Sequence, residues 1–141
     1  MNIAIILSGG KGSRLNKDIP KQFIEVFDKP IMAYTLEKFQ NNSNIDAIEI
    51  IYNKKYFQET CDLVEKFNIS KARWFVEGGN SYFMSNYNAL DALKNKLSSE
   101  DIVVFHGCSS PMVTDEIINN SIENAKIHNA CATVVNSEFS V

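Results

Sequence analysis

Ile3-Ala4-Ile5-Ile6-Leu7-Ser8-Gly9-Gly10-Lys11-Gly12-Ser13-Arg14 is an apolar run that passes without a break into a basic, glycine-rich loop. Five consecutive apolar residues leave no polar face. Ile3 to Leu7 therefore reads as a strand covered on both sides, as strands of parallel sheets are. Residues 9–12 then hold three glycines. Glycine lets the backbone approach a ligand closely and aims successive N–H groups into one concavity, an arrangement that suits phosphate. Lys11 and Arg14 add positive charge. Two standard phosphate motifs are excluded: no Gly-Lys-Ser/Thr stands at the P-loop offset, and Leu15 fills the third glycine position of the dinucleotide fingerprint. Taken alone, these residues also fit a plain glycine-rich turn carrying a solvated basic pair.

Further along, short apolar runs alternate with longer amphipathic stretches. Residues 46–52, Ala72 to Val76, Ile102 to Phe105 and Ala130 to Val135 read as four further strands. Between them, Pro30 suits a first helical turn, with Ile31, Met32, Leu36 and Phe39 following near helical spacing. Residues 54–67 carry Phe57, Cys61, Val64 and Phe67. Phe83, Tyr87, Leu90 and Leu97 mark another stripe. Thr114 reads as the N-cap of a helix bearing Ile118, Ile122 and Ala125, with Glu116 in the favourable first turn. Strand and helix alternating five times predict an α/β fold, a doubly wound and mostly parallel sheet of Rossmann-like type. In such a sheet ligands sit at the carboxyl ends of the strands. The loops after Leu7, Val76 and Phe105 should then converge.

At 141 residues the chain is expected to form one domain with a sizeable core. A formal net charge of -3 offers no basic face for nucleic acid. Cys61, Cys108 and Cys131 are odd in number and widely spaced, which points to free thiols in a reducing compartment rather than to zinc or disulfides. Ile3 to Leu7 is too short for a signal segment, and no stretch reaches membrane-spanning length. A cytoplasmic location is the expectation.

Pro20-Lys21-Gln22 follows the glycine loop closely. Proline stiffens the chain just ahead of a second cation, so Lys21 can face the same phosphates as Arg14. Together LSGGKGSRL and DIPKQF resemble the signature of the family of 2-C-methyl-D-erythritol 4-phosphate and ribitol-5-phosphate cytidylyltransferases, nucleotidyltransferases of the glycosyltransferase-A-like superfamily. The resemblance continues through Lys29-Pro30-Ile31 and Leu36-Glu37-Lys38-Phe39. It resumes at Gly78-Gly79 with Ser85, and at Val103-Val104-Phe105-His106 with Pro111.

This resemblance implies transfer of CMP from CTP to a small polyol phosphate, with release of pyrophosphate and with Mg²⁺ as cofactor. It implies that Arg14 and Lys21 are the catalytic cations. Leu7, Ser8, Gly9, Gly10, Lys11, Gly12 and Ser13 would hold the nucleotide and its phosphates. Gly79, Asn80 and Ser85 match positions that contact the cytosine ring, and Tyr82 and His106 stand where a ligand contact is possible. Catalysis would be mainly positioning and charge stabilisation, since no covalent protein intermediate is needed.

The pattern also has departures. The family's usual His-Asp-Ala-x-Arg-Pro is here His106-Gly107-Cys108-Ser109-Ser110-Pro111. Gly107 thus replaces the carboxylate expected on Mg²⁺, so the metal ligands are unknown, and Ser110 replaces an arginine. Tyr82 replaces another arginine near the base. Glu138-Phe139 falls where an Asp-Thr pair is usual. Residues 1–141 are expected to be a nucleotidyltransferase domain that is short at the C-terminus, without the family's arm and last strand, with a homodimer possible in a full-length form. Two other readings stay open: a nucleotide-binding homologue or fragment with impaired catalysis, and a sugar-phosphate nucleotidyltransferase using another NTP.

Overall fold

The structure, a computed structural model, describes residues 1–10 and 19–134. Lys11, Gly12, Ser13 and Arg14 of the expected site, and Val135 of the expected fifth strand, lie outside the described residues.

Four parallel strands form the central sheet: β1 (Asn2–Ser8), β4 (Ala47–Tyr52), β5 (Ala72–Glu77) and β6 (Ile102–Gly107), in the order β5-β4-β1-β6. The chain steps outward from β1 through β4 to β5, then returns to lie on the other side of β1 with β6. That reversal is the switch point of a doubly wound sheet. Both faces are covered, and β1 shows it residue by residue. Ala4 and Ile6 pack with Met32, Leu36 and Phe39 of α1 (Ile31–Asn41), Leu63 of α2 (Phe57–Lys66), and Ile118 and Ile122 of α4 (Asp115–His128). Ile3 and Ile5 pack on the opposite face with Ala89 and Leu93 of α3 (Tyr82–Leu93). The two-residue alternation of a strand sends its side chains to both cores, each isoleucine contributing roughly 1.5–3 kcal/mol by burial.

Several local expectations need revision. Pro30 stands one residue ahead of the helix, as the N-cap of α1 with an extended ψ of 142°. It belongs to a short antiparallel hairpin, β2 (Glu25–Val26) with β3 (Lys29–Pro30), whose turn residues Phe27 and Asp28 both have positive φ, 50° and 59°. The stretch from Lys54 begins as a 3-10 turn, Lys54–Tyr56, capped by the Asn53 side chain, before α2 starts. Thr114 caps α4 as expected, accepting a hydrogen bond from the Ile117 N–H at 3.3 Å.

Of the expected stripe, Leu97 lies past the end of α3 and packs against the core, whereas the three residues on α3 face outward. Phe83, Tyr87 and Leu90 are exposed, whereas Ser85, Ala89 and Leu93 are buried. Both sets have helical spacing, so spacing alone does not choose the buried face.

Residues 130–134 of the expected fifth strand pair with no strand. They lie across a groove of about 860 Å³ from the β6 edge, held instead to α4. There the Cys131 thiol donates to the Ser121 carbonyl at 3.1 Å, and the Thr133 and Ser121 hydroxyls are 3.1 Å apart.

Candidate functional site

The carboxyl ends of all four parallel strands open into one cavity of about 620 Å³. Leu7, Gly9 and Gly10 line it from the end of β1, and Gly78, Gly79, Asn80, Tyr82 and Ser85 from the turn into α3. His106 and Gly107 line it from the end of β6. The structure therefore gathers the described part of the glycine loop, the second glycine pair and the β6 terminus around one space.

Close backbone approach explains the second glycine pair. The Cα atoms of Gly9 and Gly78 face each other, and a Cβ on Gly78 would lie 3.3 Å from Gly9 Cα, the Ser85 Oγ and the Tyr52 carbonyl. Gly79 has no room at all: a Cβ there would fall 2.3 Å from the Met84 Cβ. Ser85 is the hub of this corner. Its hydroxyl accepts from the Gly79 N–H at 3.1 Å and donates to the Ser81 carbonyl at 3.0 Å, fixing the turn onto the first turn of α3. Ser81 in turn caps α3 by accepting from the Met84 N–H.

Neighbouring loops are tied to each other as well as to the sheet. The Gly78 N–H donates to the Tyr52 carbonyl at 2.8 Å, and the Asn53 amide reaches the Gly9 carbonyl at 3.4 Å. At the other side the Cys108 N–H donates to the Leu7 carbonyl at 3.1 Å.

Two expected contacts sit differently from the rest. Ser8 is buried beneath the cavity, its hydroxyl donating to the Met32 sulfur at 3.5 Å and its carbonyl accepting from the Gln22 amide at 3.2 Å. Lys21 stands exposed on the 3-10 turn Lys21–Phe23, outside the cavity lining. His106 lines the cavity, but its Nε2 donates to the Ser110 carbonyl at 2.9 Å and its ring packs 5.1 Å from that of Phe39. It is first of all a packed histidine at a strand end.

Cys108 is buried, and burial pushes its thiol up from the usual range, opposed in part by the neighbouring Ser109 and Ser8 hydroxyls and by the Lys21 charge. A neutral, buried thiol is a poor nucleophile. At the end of β6, Gly107 presents no side-chain oxygen. Among the described residues no group of three or more His, Cys, Asp or Glu side chains is placed to hold a metal ion.

Sequence reading missed Asn53, Lys54, Glu77, Ser81 and Phe105, which also line the cavity. The rule that sites form at strand ends applied equally to the loop after β4, where Asn53 and Lys54 lie.

Residues 2–137 match the family model described as 2-C-methyl-D-erythritol 4-phosphate cytidylyltransferase, IspD. The chain belongs to this IspD family. Among curated relatives, it is similar to the ribitol-5-phosphate cytidylyltransferase of Vibrio parahaemolyticus, with 38% identity over 94% of this chain and 56% of the relative. It is equally similar to the 2-C-methyl-D-erythritol 4-phosphate cytidylyltransferase of Thermosipho africanus, 38% identical over 100% of this chain and 61% of the relative. The chain thus spans somewhat under two thirds of the length of these IspD-family relatives. Its fold resembles the crystal structure of the 4-diphosphocytidyl-2C-methyl-D-erythritol synthase from Anaerococcus prevotii. The TM-score is 0.69 at 22% identity, over 89% of this chain and 51% of that one, a likeness that concerns the fold alone. Among the described residues, no helix is long and apolar enough to cross a membrane.

Proposed function

We propose that residues 1–141 form a nucleotidyltransferase domain that transfers CMP from CTP to a polyol phosphate of the methylerythritol phosphate or ribitol phosphate class, releasing pyrophosphate. One observation carries the reading. A single cavity at the strand ends is walled by Leu7, Gly9 and Gly10 on one side and by Gly78, Gly79 and Ser85 on another, in a chain of the IspD family.

In this reading CTP lies with its triphosphate over the loop that begins at Gly9 and its base towards Gly79, Asn80 and Ser85. An oxygen of the acceptor's phosphate attacks the α-phosphorus. The bond from that phosphorus to the bridging oxygen breaks, and both its electrons leave with pyrophosphate. Charge on the non-bridging oxygens grows as phosphorus becomes five-coordinate, and fixed cations stabilise that state more than the bound ground state. Arg14 and Lys21 are the residues for this role. Mg²⁺ in this site would be held by phosphate oxygens and water, with or without a carboxylate from elsewhere in the chain, since Gly107 offers no side-chain oxygen. It would offset phosphate charge. A cytoplasmic enzyme without nucleic-acid or membrane partners fits the same reading.

Gly107 also favours a second reading, a nucleotide-binding domain with little or no turnover. Incubation with each NTP, Mg²⁺ and either polyol phosphate, with pyrophosphate measured, separates the two. Release with CTP is expected. No release with any pair, alongside metal-independent CTP binding, would overturn the first reading in favour of the second. Release with another NTP would reassign the enzyme to a different nucleotide.

A further inference from the structure

We propose that Gln22 is a positioning residue for the transfer reaction, aiming Lys21 at the nucleotide phosphates by anchoring its turn to the end of β1. This inference rests on the reaction proposed above and adds a residue to it.

Gln22 is an amide with little access to water, 4% exposed, next to a lysine that is exposed. Its Nε2 donates at 3.2 Å to the carbonyl of Ser8, the last residue of β1 and the one immediately before the glycine loop. Breaking a hydrogen bond between two buried groups leaves both desolvated and unpaired, so this link resists opening. The Ser8 end is itself fixed, because β1 lies between β4 and β6 and the Ser8 side chain is held against Met32.

The turn is equally constrained on its own side. The Phe23 N–H donates to the Pro20 carbonyl at 3.0 Å and the Ile24 N–H to the Lys21 carbonyl at 3.2 Å. Pro20 is buried, with φ of -58°. Phe23 packs its ring 5.7 Å from that of Tyr56. Successive side chains diverge by about 120° in a 3-10 turn. With Gln22 pinned inward, Lys21 is directed away from the core. The anchor point, the Ser8 carbonyl, is one residue from Gly9 at the cavity edge, so the turn that carries Lys21 is held beside the cavity. A lysine stem is flexible, and what the protein can set is the position and direction of its Cα. Misplacing a catalytic group by about 1 Å can cost about a hundredfold in rate, which gives such an anchor kinetic weight.

Gln22→Met keeps the side chain's length and removes the donor. We expect kcat to fall about tenfold or more while the KM for CTP stays within about twofold, because Lys21 acts on the transition state. The double variant Gln22→Met/Lys21→Met should be no slower than Lys21→Met alone, since the amide works only through the lysine. Gln22→Asn, which keeps an amide but draws it back, provides a second variant should Gln22→Met not fold. An unchanged kcat in a folded variant, or a double variant slowed by the product of the single effects, would overturn the proposal.

A second readout is independent of turnover: trace acylation of Lys21 followed by peptide mass spectrometry, with and without inorganic pyrophosphate. Protection of Lys21 in the wild type that is lost in Gln22→Met supports the anchor even if no transfer occurs. Equal protection in both would count against it even if transfer does occur.

Discussion

Glu49 occupies the middle of β4 on the face shared with Ala47 and Ile51, opposite Ile5 of β1 and Trp74 of β5. It is fully buried, and neither carboxylate oxygen has a hydrogen-bond partner among the described residues. Burial pushes its pKa up from 4.5 to about 7, partly opposed by the charge of Lys96. The folded protein therefore holds this proton where the unfolded chain has lost it. The resulting stabilisation is fully present below pH 4.5 and is lost as pH rises through about 7. It amounts to about 3 kcal/mol across the whole window. Glu49→Gln carries no ionisable group, so its melting temperature should gain on that of the wild type as pH is raised from 5 to 8. Parallel profiles would show that Glu49 does not titrate in the folded state. Nothing in the sequence announced this residue: an acid inside Ala-Ile-Glu-Ile-Ile reads as the polar point of a strand, and only packing by α3 buries it. Gly79 was legible as part of a glycine pair, and close contact at its turn demands glycine itself. Asn53, Lys54 and Glu77 carry no such mark, and their place in the cavity comes from the sheet order.

Helix α3 is where element-scale pattern reading and packing part. Phe83, Tyr87 and Leu90 look like a core stripe, yet the helix turns Ser85, Ala89 and Leu93 to the sheet. Ser85 is on the buried face because its hydroxyl accepts from the Gly79 N–H at the turn. Leu93→Ala should then cost about 2–5 kcal/mol in denaturant unfolding, whereas Phe83→Ser should stay within about 0.5 kcal/mol. The reverse order would mean that α3 docks through its aromatic face. Strands β1, β4, β5 and β6 fell within two residues of their expected limits because each is a short, largely apolar run bounded by polar or glycine-rich stretches. The β2–β3 hairpin escaped because its turn uses Phe27 and Asp28 instead of the Asn-Gly or Asp-Gly that such turns favour. The expected strand from Ala130 has the right composition, but a strand also needs an adjacent edge, and the groove beside β6 separates the two.

At the scale of the molecule, the order β5-β4-β1-β6 turns distant sequence blocks into one site. Residues 7–10, 53–54, 77–85 and 105–107 meet only because their strands lie side by side and point the same way. Fold class and the glycine side of the cavity were readable from the chain alone. The far wall was readable chiefly as a departure, with Gly107 where the resemblance called for a carboxylate. The central claim is that CTP binds between the β1 loop and the Gly78-Gly79 turn. Calorimetric titration of CTP into the wild type and into Gly79→Ala tests it most directly. In the variant the added methyl would meet Met84 and push the turn out of place. Saturable, one-to-one binding to the wild type is expected, weakened at least about tenfold in a folded variant by the misplaced turn. Equal affinity in both proteins, or no binding to the wild type, would contradict it.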